Sequence, residues 1–194
     1  RYGILLGELE GLRWSTTGGG EGYSSPHRLI IGGREQVIFM NEDGASAYNP
    51  LDGSVFWKRL WAGEGRIVQP ALTADGDLLL CDGGMAFGMH RVSVTCGPDG
   101  WKSVERWASR NLQPNFNDTV IHEGYAYGFV GPRLACLDLI DGSRKWQGAP
   151  YAGFSILLAE QGLLLILGEK GELALVEATP AKFSELARMN ALEG

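Results

Sequence analysis

Five consecutive residues, Pro114, Asn115, Phe116, Asn117 and Asp118, carry the richest mixture of amide, carboxylate and aromatic groups in the chain. The two amides offer donors and acceptors, the carboxylate a charge, and the ring an apolar plate. Such a mixture suits a sugar, a peptide or a bound cation, because these ligands need convergent polar groups beside an apolar surface. Short polar side chains also bond their own backbone where a strand begins, so both uses stay open at this point. His27 lies on the corresponding side of another repeat, but the three His residues are scattered and lack the clustered spacing of a metal site. No Gly-x-Ser-x-Gly elbow, His-Glu-x-x-His or Cys-x-x-Cys occurs, so nothing points to a hydrolase or a metalloenzyme. The glycine-rich run at 18–22 lacks the Gly-Lys-Ser/Thr ending of a phosphate loop and reads as a connection.

These polar groups precede short apolar segments at regular intervals. Ser25-Pro26, Gln69-Pro70, Gln113-Pro114 and Gly153-Phe154 each stand ahead of a predicted first strand, where a proline costs no ladder bond. Predicted strands cover 28–31, 36–40, 45–48 and 55–57, then 71–73, 77–81, 91–95 and 104–107. A third group covers 119–122, 125–129, 134–137 and 144–146, and a fourth 155–159, 163–167, 172–176 and 183–187. Strong helix formers near the C-terminus, with Phe183, Leu186, Ala187 and Asn190 at helical spacing, oppose the last strand. The repeat frame favours a strand there.

The clearest unit is the eleven-residue frame from Cys136 to Trp146, an apolar alternation, an Asp141-Gly142 turn and a short strand ending in a large aromatic. It recurs from Ala47 to Trp57, and a shortened copy ends at Trp14. Trp14, Trp57, Trp107 and Trp146 are spaced by 43, 50 and 39 residues, close to the roughly 40 to 50 residues of a four-stranded propeller blade. The frame resembles the tryptophan-docking repeat of pyrroloquinoline-quinone-type (quinoprotein-like) β-propellers, in which Ala-x-Asp, Gly and Trp follow in order. The resemblance implies that Ala47, Asn49, Gly53 and Trp57 in one blade, and Cys136, Asp138, Gly142 and Trp146 in another, lock neighbouring blades together. The copy ending at Trp107 departs from the frame, leaving its contact open. The last copy, Val176 to Phe183, replaces Trp by Phe.

The expected fold is therefore all-β, a β-propeller of four-stranded antiparallel blades. A single partial domain spans 1–194, with a half-blade at 1–14 and blades at about 23–60, 67–107, 113–146 and 153–188. About four and a half blades suggest an open arc of a seven- or eight-bladed ring. A compact four-bladed ring, closed by pairing the N-terminal half-blade with the last blade, is the alternative. First strands lie nearest a propeller axis, so 24–27, 66–69, 111–118 and 151–154 should share the mouth of the channel.

Composition narrows the partners. The 29 glycines among 194 residues show no collagen-like period and point to many turns. A net charge of -6 without a basic cluster argues against a nucleic-acid partner on electrostatic grounds, and no apolar run approaches the roughly 20 residues of a membrane span. Cys81, Cys96 and Cys136 allow at most one disulfide, with Cys81 and Cys96 able to face each other across a hairpin. The favoured reading makes all three small buried hydrophobes. The resemblance implies a periplasmic or secreted bacterial protein, and a non-catalytic scaffold whose partners are a protein or an extracellular small ligand besides the remaining blades. Quinone dehydrogenases of this type hold pyrroloquinoline quinone and Ca²⁺ with a vicinal Cys pair, a Trp floor and carboxylate ligands. No adjacent Cys-Cys pair occurs, so no cofactor is expected unless a dehydrogenase site lies in other blades.

Overall fold

A computed structural model describes residues 2–4, 14–16, 20, 22–61, 67–81 and 88–192. Strands β1 (Tyr2–Ile4) and β2 (Trp14–Thr16) pair as a two-stranded sheet. The first blade contains β3 (His27–Ile31), β4 (Arg34–Asn41), β5 (Gly44–Tyr48) and β6 (Val55–Leu60). The second contains β7 (Ala71–Leu72), β8 (Leu78–Cys81), β9 (Met89–Gly97) and β10 (Gly100–Ser109). The third contains β11 (Val120–His122), β12 (Tyr125–Val130), β13 (Arg133–Asp138) and β14 (Arg144–Pro150). The fourth contains β15 (Phe154–Leu158), β16 (Leu163–Leu167), β17 (Glu172–Glu177) and β18 (Glu185–Asn190). Each blade is an antiparallel meander in chain order. No α-helix occurs among the described residues; the helix formers near the C-terminus lie in β18, where pairing with β17 overrides local propensity. The β1-β2 pair does not join β18.

The blades are held face to face by apolar layers. On β8, Leu78 and Leu80 join Ile38, Ala47 and Trp57 of the first blade, whereas Leu79 and Cys81 join Ala126, Ala135 and Leu137 of the third. Tyr127, Phe129 and Cys136 of the third blade then meet Leu164, Ile166 and Val176 of the fourth. Strands buried on both faces read as unbroken apolar runs, which is why Leu78–Cys81 shows no polar alternation. Each fully buried Leu contributes about 1.5 to 3 kcal/mol.

At three junctions an indole closes the layer. Trp14 donates from Nε1 to Pro50 O at 3.0 Å, Trp107 to Leu139 O at 2.9 Å, and Trp146 to Thr179 O at 2.7 Å. The receiving turns of the first and third blades share one construction. Asn49 Oδ1 accepts from Leu51 N and Asp138 Oδ1 from Ile140 N, while Gly53 and Gly142 donate back to the Asn49 and Asp138 carbonyls. A Cβ at Gly142 would lie 2.8 Å from the Trp107 ring, and one at Gly53 2.5 Å from that of Trp14. Only glycine combines the left-handed turn with so close an approach. In the fourth blade, Glu177 N bonds Ser184 O where Asp138 N bonds Ser143 O, so the turn is longer and Ala187 takes the place of the expected aromatic. Phe183 instead sits within that turn, its ring 5.7 Å from Trp146.

The junction between the first and second blades differs. The Trp57 N–H stays inside its own blade on Gln36 Oε1 at 2.8 Å. The second blade offers no equivalent turn, because β9 and β10 continue to a tight hairpin at Pro98-Asp99 and are longer than predicted. Trp101 of that hairpin packs on Phe56, with ring centroids 5.4 Å apart. Glu105 adds an ionic link, accepting from Arg59 at 2.5 Å and meeting His90 Nδ1 at 2.9 Å. None of the three cysteines is in a disulfide, with Cys81 and Cys136 buried and Cys96, contrary to expectation, exposed on the elongated β9. Burial pushes the Cys136 thiol up to about 12.

Gly142→Ala should lose about 2 to 4 kcal/mol, combining left-handed strain with overpacking against Trp107. Gly76→Ala, also at positive φ but with nothing within 4 Å of its Cβ, should lose about 1 kcal/mol. Equal urea midpoint shifts for the two variants would show that the indole contact contributes nothing. The His90 ring, and after it Arg59, hold the Glu105 carboxyl below its usual value. That stabilisation is full above the unfolded carboxyl's pKa of about 4.3 and lost as pH falls through the lower folded value. With Glu105 39% exposed, it should amount to less than about 1 kcal/mol. Acid titration of amide exchange should show β6 and β10 losing protection first, and Glu105→Gln should abolish that pH dependence.

Candidate functional site

Because each blade is a four-strand meander, its turns alternate between two faces. Segments leading into β3, β7, β11 and β15 gather on one face, together with the turns joining second to third strands. Two first strands begin directly after their predicted leads, at His27 and Ala71, and that of the fourth blade begins within its lead, at Phe154. That of the third blade does not. Gln113 bonds Phe129 O and bridges Val130, so β11 starts only at Val120 and 114–119 form a longer connection. This added length brings Asn115, Phe116, Asn117 and Asp118 to the mouth.

The four polar candidates divide into two groups. In its hydrogen-bonded orientation, the Gln69 amide nitrogen lies 3.0 Å from both His27 Nε2 and Ser25 O, and its oxygen accepts from Ser25 N at 3.0 Å. Asp118 Oδ1 accepts from the Gln69 backbone N–H at 2.9 Å. Gln69 thus links His27 of the first blade to Asp118 of the third. Asn117 faces the other way, donating from Nδ2 to Gly153 O at 2.7 Å. This contact fixes the amide, leaving a buried Oδ1 without a partner. Gly153 itself packs so closely on the end of β16 that a Cβ would lie 2.0 Å from Leu167 O.

Beside Asn117 lies a cavity of about 400 Å³, lined by Gln113, Asn115, Phe116, Ala152, Phe154 and Glu169 among others. Phe116 and Phe154 both line it and are 66% and 56% exposed, an apolar surface of the kind a ligand or partner can cover. Ala152 adopts φ 46, a left-handed conformation that disfavours a residue with a Cβ. Tyr151 and Ala152 both donate to Pro132 O and hold this bend in place. Asn115 and Asn117 are therefore brought together at the cavity, whereas His27 and Asp118 lie in the links between blades. Gln69, Phe154 and Ala152 are functional candidates that side-chain chemistry alone missed. The Gln69-Pro70 and Gly153-Phe154 pairs ahead of strands were the available signal. In the glycine- and methionine-bearing stretch from Asp82 to His90, which the sequence offers as a cover for a core edge or a lining for a ligand mouth, residues 82–87 lie outside the described residues, and Met89 and His90 open β9.

Among the described residues no three His, Cys, Asp or Glu side chains converge as metal ligands. Of the six tryptophans, Trp14, Trp107 and Trp146 are engaged between blades and Trp57 with Gln36.

Four antiparallel four-stranded sheets with shared interblade layers define a β-propeller fold. No protein family matches the sequence, and no curated protein does. Solved structures with the same architecture are nevertheless found. BamB from Moraxella catarrhalis superposes with a TM-score of 0.66 at 14% identity, covering 95% of this chain and 56% of its own. A functionally unknown protein from Desulfotomaculum acetoxidans gives 0.62 at 11% identity, covering 93% and 60%. A protein of unknown function from Bacteroides caccae gives 0.57 at 15%, covering 93% and 65%. The chain spans less than two thirds of each of these structures.

Asp118→Ala should lose about 0.5 to 1.5 kcal/mol, the net worth of its exposed hydrogen bond to the Gln69 N–H, and Asn115→Ala should stay within about 0.5 kcal/mol. Thermal unfolding of the two variants checks the division into link and cavity residues, which equal losses would contradict.

Proposed function

We propose that this chain is a non-catalytic, quinoprotein-like propeller scaffold that binds a partner protein or an extracellular small ligand at the mouth cavity between its third and fourth blades. The exposed Phe116 and Phe154 rings beside Asn115 and Asn117 carry this reading. Apolar plates would cover a sugar ring or a peptide side chain, and the amides would supply directional hydrogen bonds. The tryptophan frame, by its resemblance to bacterial envelope propellers, favours a periplasmic or secreted setting, with further blades of the same protein as neighbours. Among the described residues no helix is long and apolar enough to cross a membrane.

Two measurements on the full-length protein test the reading. An oligosaccharide and peptide panel should yield a ligand whose Kd rises about tenfold or more in Phe116→Ala/Phe154→Ala, corresponding to about 1.4 kcal/mol or more; unchanged affinity would exclude the cavity. Incubation with pyrroloquinoline quinone and Ca²⁺ should give no sugar- or alcohol-dependent dye reduction, and turnover would make the protein a dehydrogenase.

A further inference from the structure

A second cavity, of about 820 Å³, opens on the opposite face, where the first-to-second and third-to-fourth strand turns gather. Its apolar wall includes Leu72 of the second blade, Ile121, Tyr125 and Leu139 of the third, and Leu157 of the fourth. Ile140 stands at the rim, 83% exposed. This volume lies within the roughly 300 to 1,000 Å³ typical of ligand sites.

The charges around it are unequally matched. Arg91 is spent inside the protein, with Nε on Asp77 at 2.7 Å, one terminal nitrogen on Asp75 and the other on Leu139 O at 2.5 Å. Asp77 also meets Arg106 at 3.6 Å, and Asp138 meets Lys145 at 3.8 Å. Glu123 is exposed at the cavity edge, and no cation of the described residues pairs with it. Its φ of 47 places it in a strained turn with Gly124. An apolar hollow edged by an unmatched carboxylate complements an apolar side chain carried beside a positive one.

We propose that this cavity is a second binding site, separate from the mouth, and that it takes an extended segment of a partner protein in which aliphatic residues alternate with lysine or arginine. An aliphatic side chain enters between Ile121, Tyr125 and Leu157, covering Ile140, while the neighbouring cation meets Glu123. The turns that shape the hollow are already held by Arg91 and Trp107 on Leu139 O, so little ordering accompanies binding.

The test uses isotope-labelled full-length protein and two probe peptides, acetyl-Leu-Lys-Leu-Arg-Leu-amide and acetyl-Leu-Glu-Leu-Asp-Leu-amide, followed by amide chemical shifts. The basic peptide should perturb Ile121, Tyr125 and Leu139 and bind about tenfold or more tightly than the acidic one. Ile140→Ser and Glu123→Lys alter exposed positions and should each weaken it about three- to tenfold without lowering the unfolding midpoint. Equal binding of the two peptides, no binding of either, affinity unchanged in both variants, or perturbations confined to 113–117 would overturn the proposal. Only the last outcome would redirect the peptide to the mouth cavity.

Discussion

The arrangement depends on one polar contact made at the edge of an apolar layer. An indole N–H from one blade meets a turn carbonyl of the next, and in the first and third blades a glycine of that turn lets the ring lie against the backbone. Two requirements meet there. The ring must be buried to contribute apolar area, and its N–H must still find an acceptor, since an orphaned buried donor costs about as much as the contact gains. The turn meets both because its own Asx side chain, Asn49 or Asp138, has already satisfied a backbone N–H and curled the chain. At Leu139 the carbonyl receives both the Trp107 and Arg91 donors, joining the apolar layer to the Asp75–Asp77 cluster.

Where the turn is missing, the contact changes in kind. The hairpin of β9 and β10 leaves no carbonyl for Trp57, whose N–H turns to Gln36 within its own blade, and Gln36 in turn donates to Ile31 O. Trp101 against Phe56 and Arg59 against Glu105 then span the first junction. Partly exposed charges are screened by solvent and a buried indole is not, so the Arg59–Glu105 link between the first and second blades responds to pH and salt, whereas the indole contacts of the other junctions do not.

Much of the fold was legible because the frame is local. Cys136, Asp138, Gly142 and Trp146 lie within eleven residues, and the hairpin they form imposes the period at which the blades recur. The fourth blade was harder to read, since two extra turn residues move Glu177 and Ala187 into the places expected for the Asx residue and the aromatic, and a one-residue shift exchanges the faces of a strand. The mouth was legible only in part. Asn115 and Asn117 announced polar chemistry, but nothing local placed Phe154 beside Phe116 or Gln69 between His27 and Asp118. Those juxtapositions belong to the packing of successive blades, which a short window of residues does not contain.

The two faces are free to differ because the indole contact constrains only one of them. Turns between third and fourth strands in the first and third blades share the length and conformation that receive the ring, so the surface they form varies chiefly in exposed side chains such as Ile140. Segments leading into first strands carry no such requirement. The third has therefore lengthened to carry Asn115 to Asp118, while the second remains short and uses Gln69 to tie its neighbours. Recognition built from a new loop belongs on the mouth, and recognition built from a few side chains on a fixed hollow belongs on the other side.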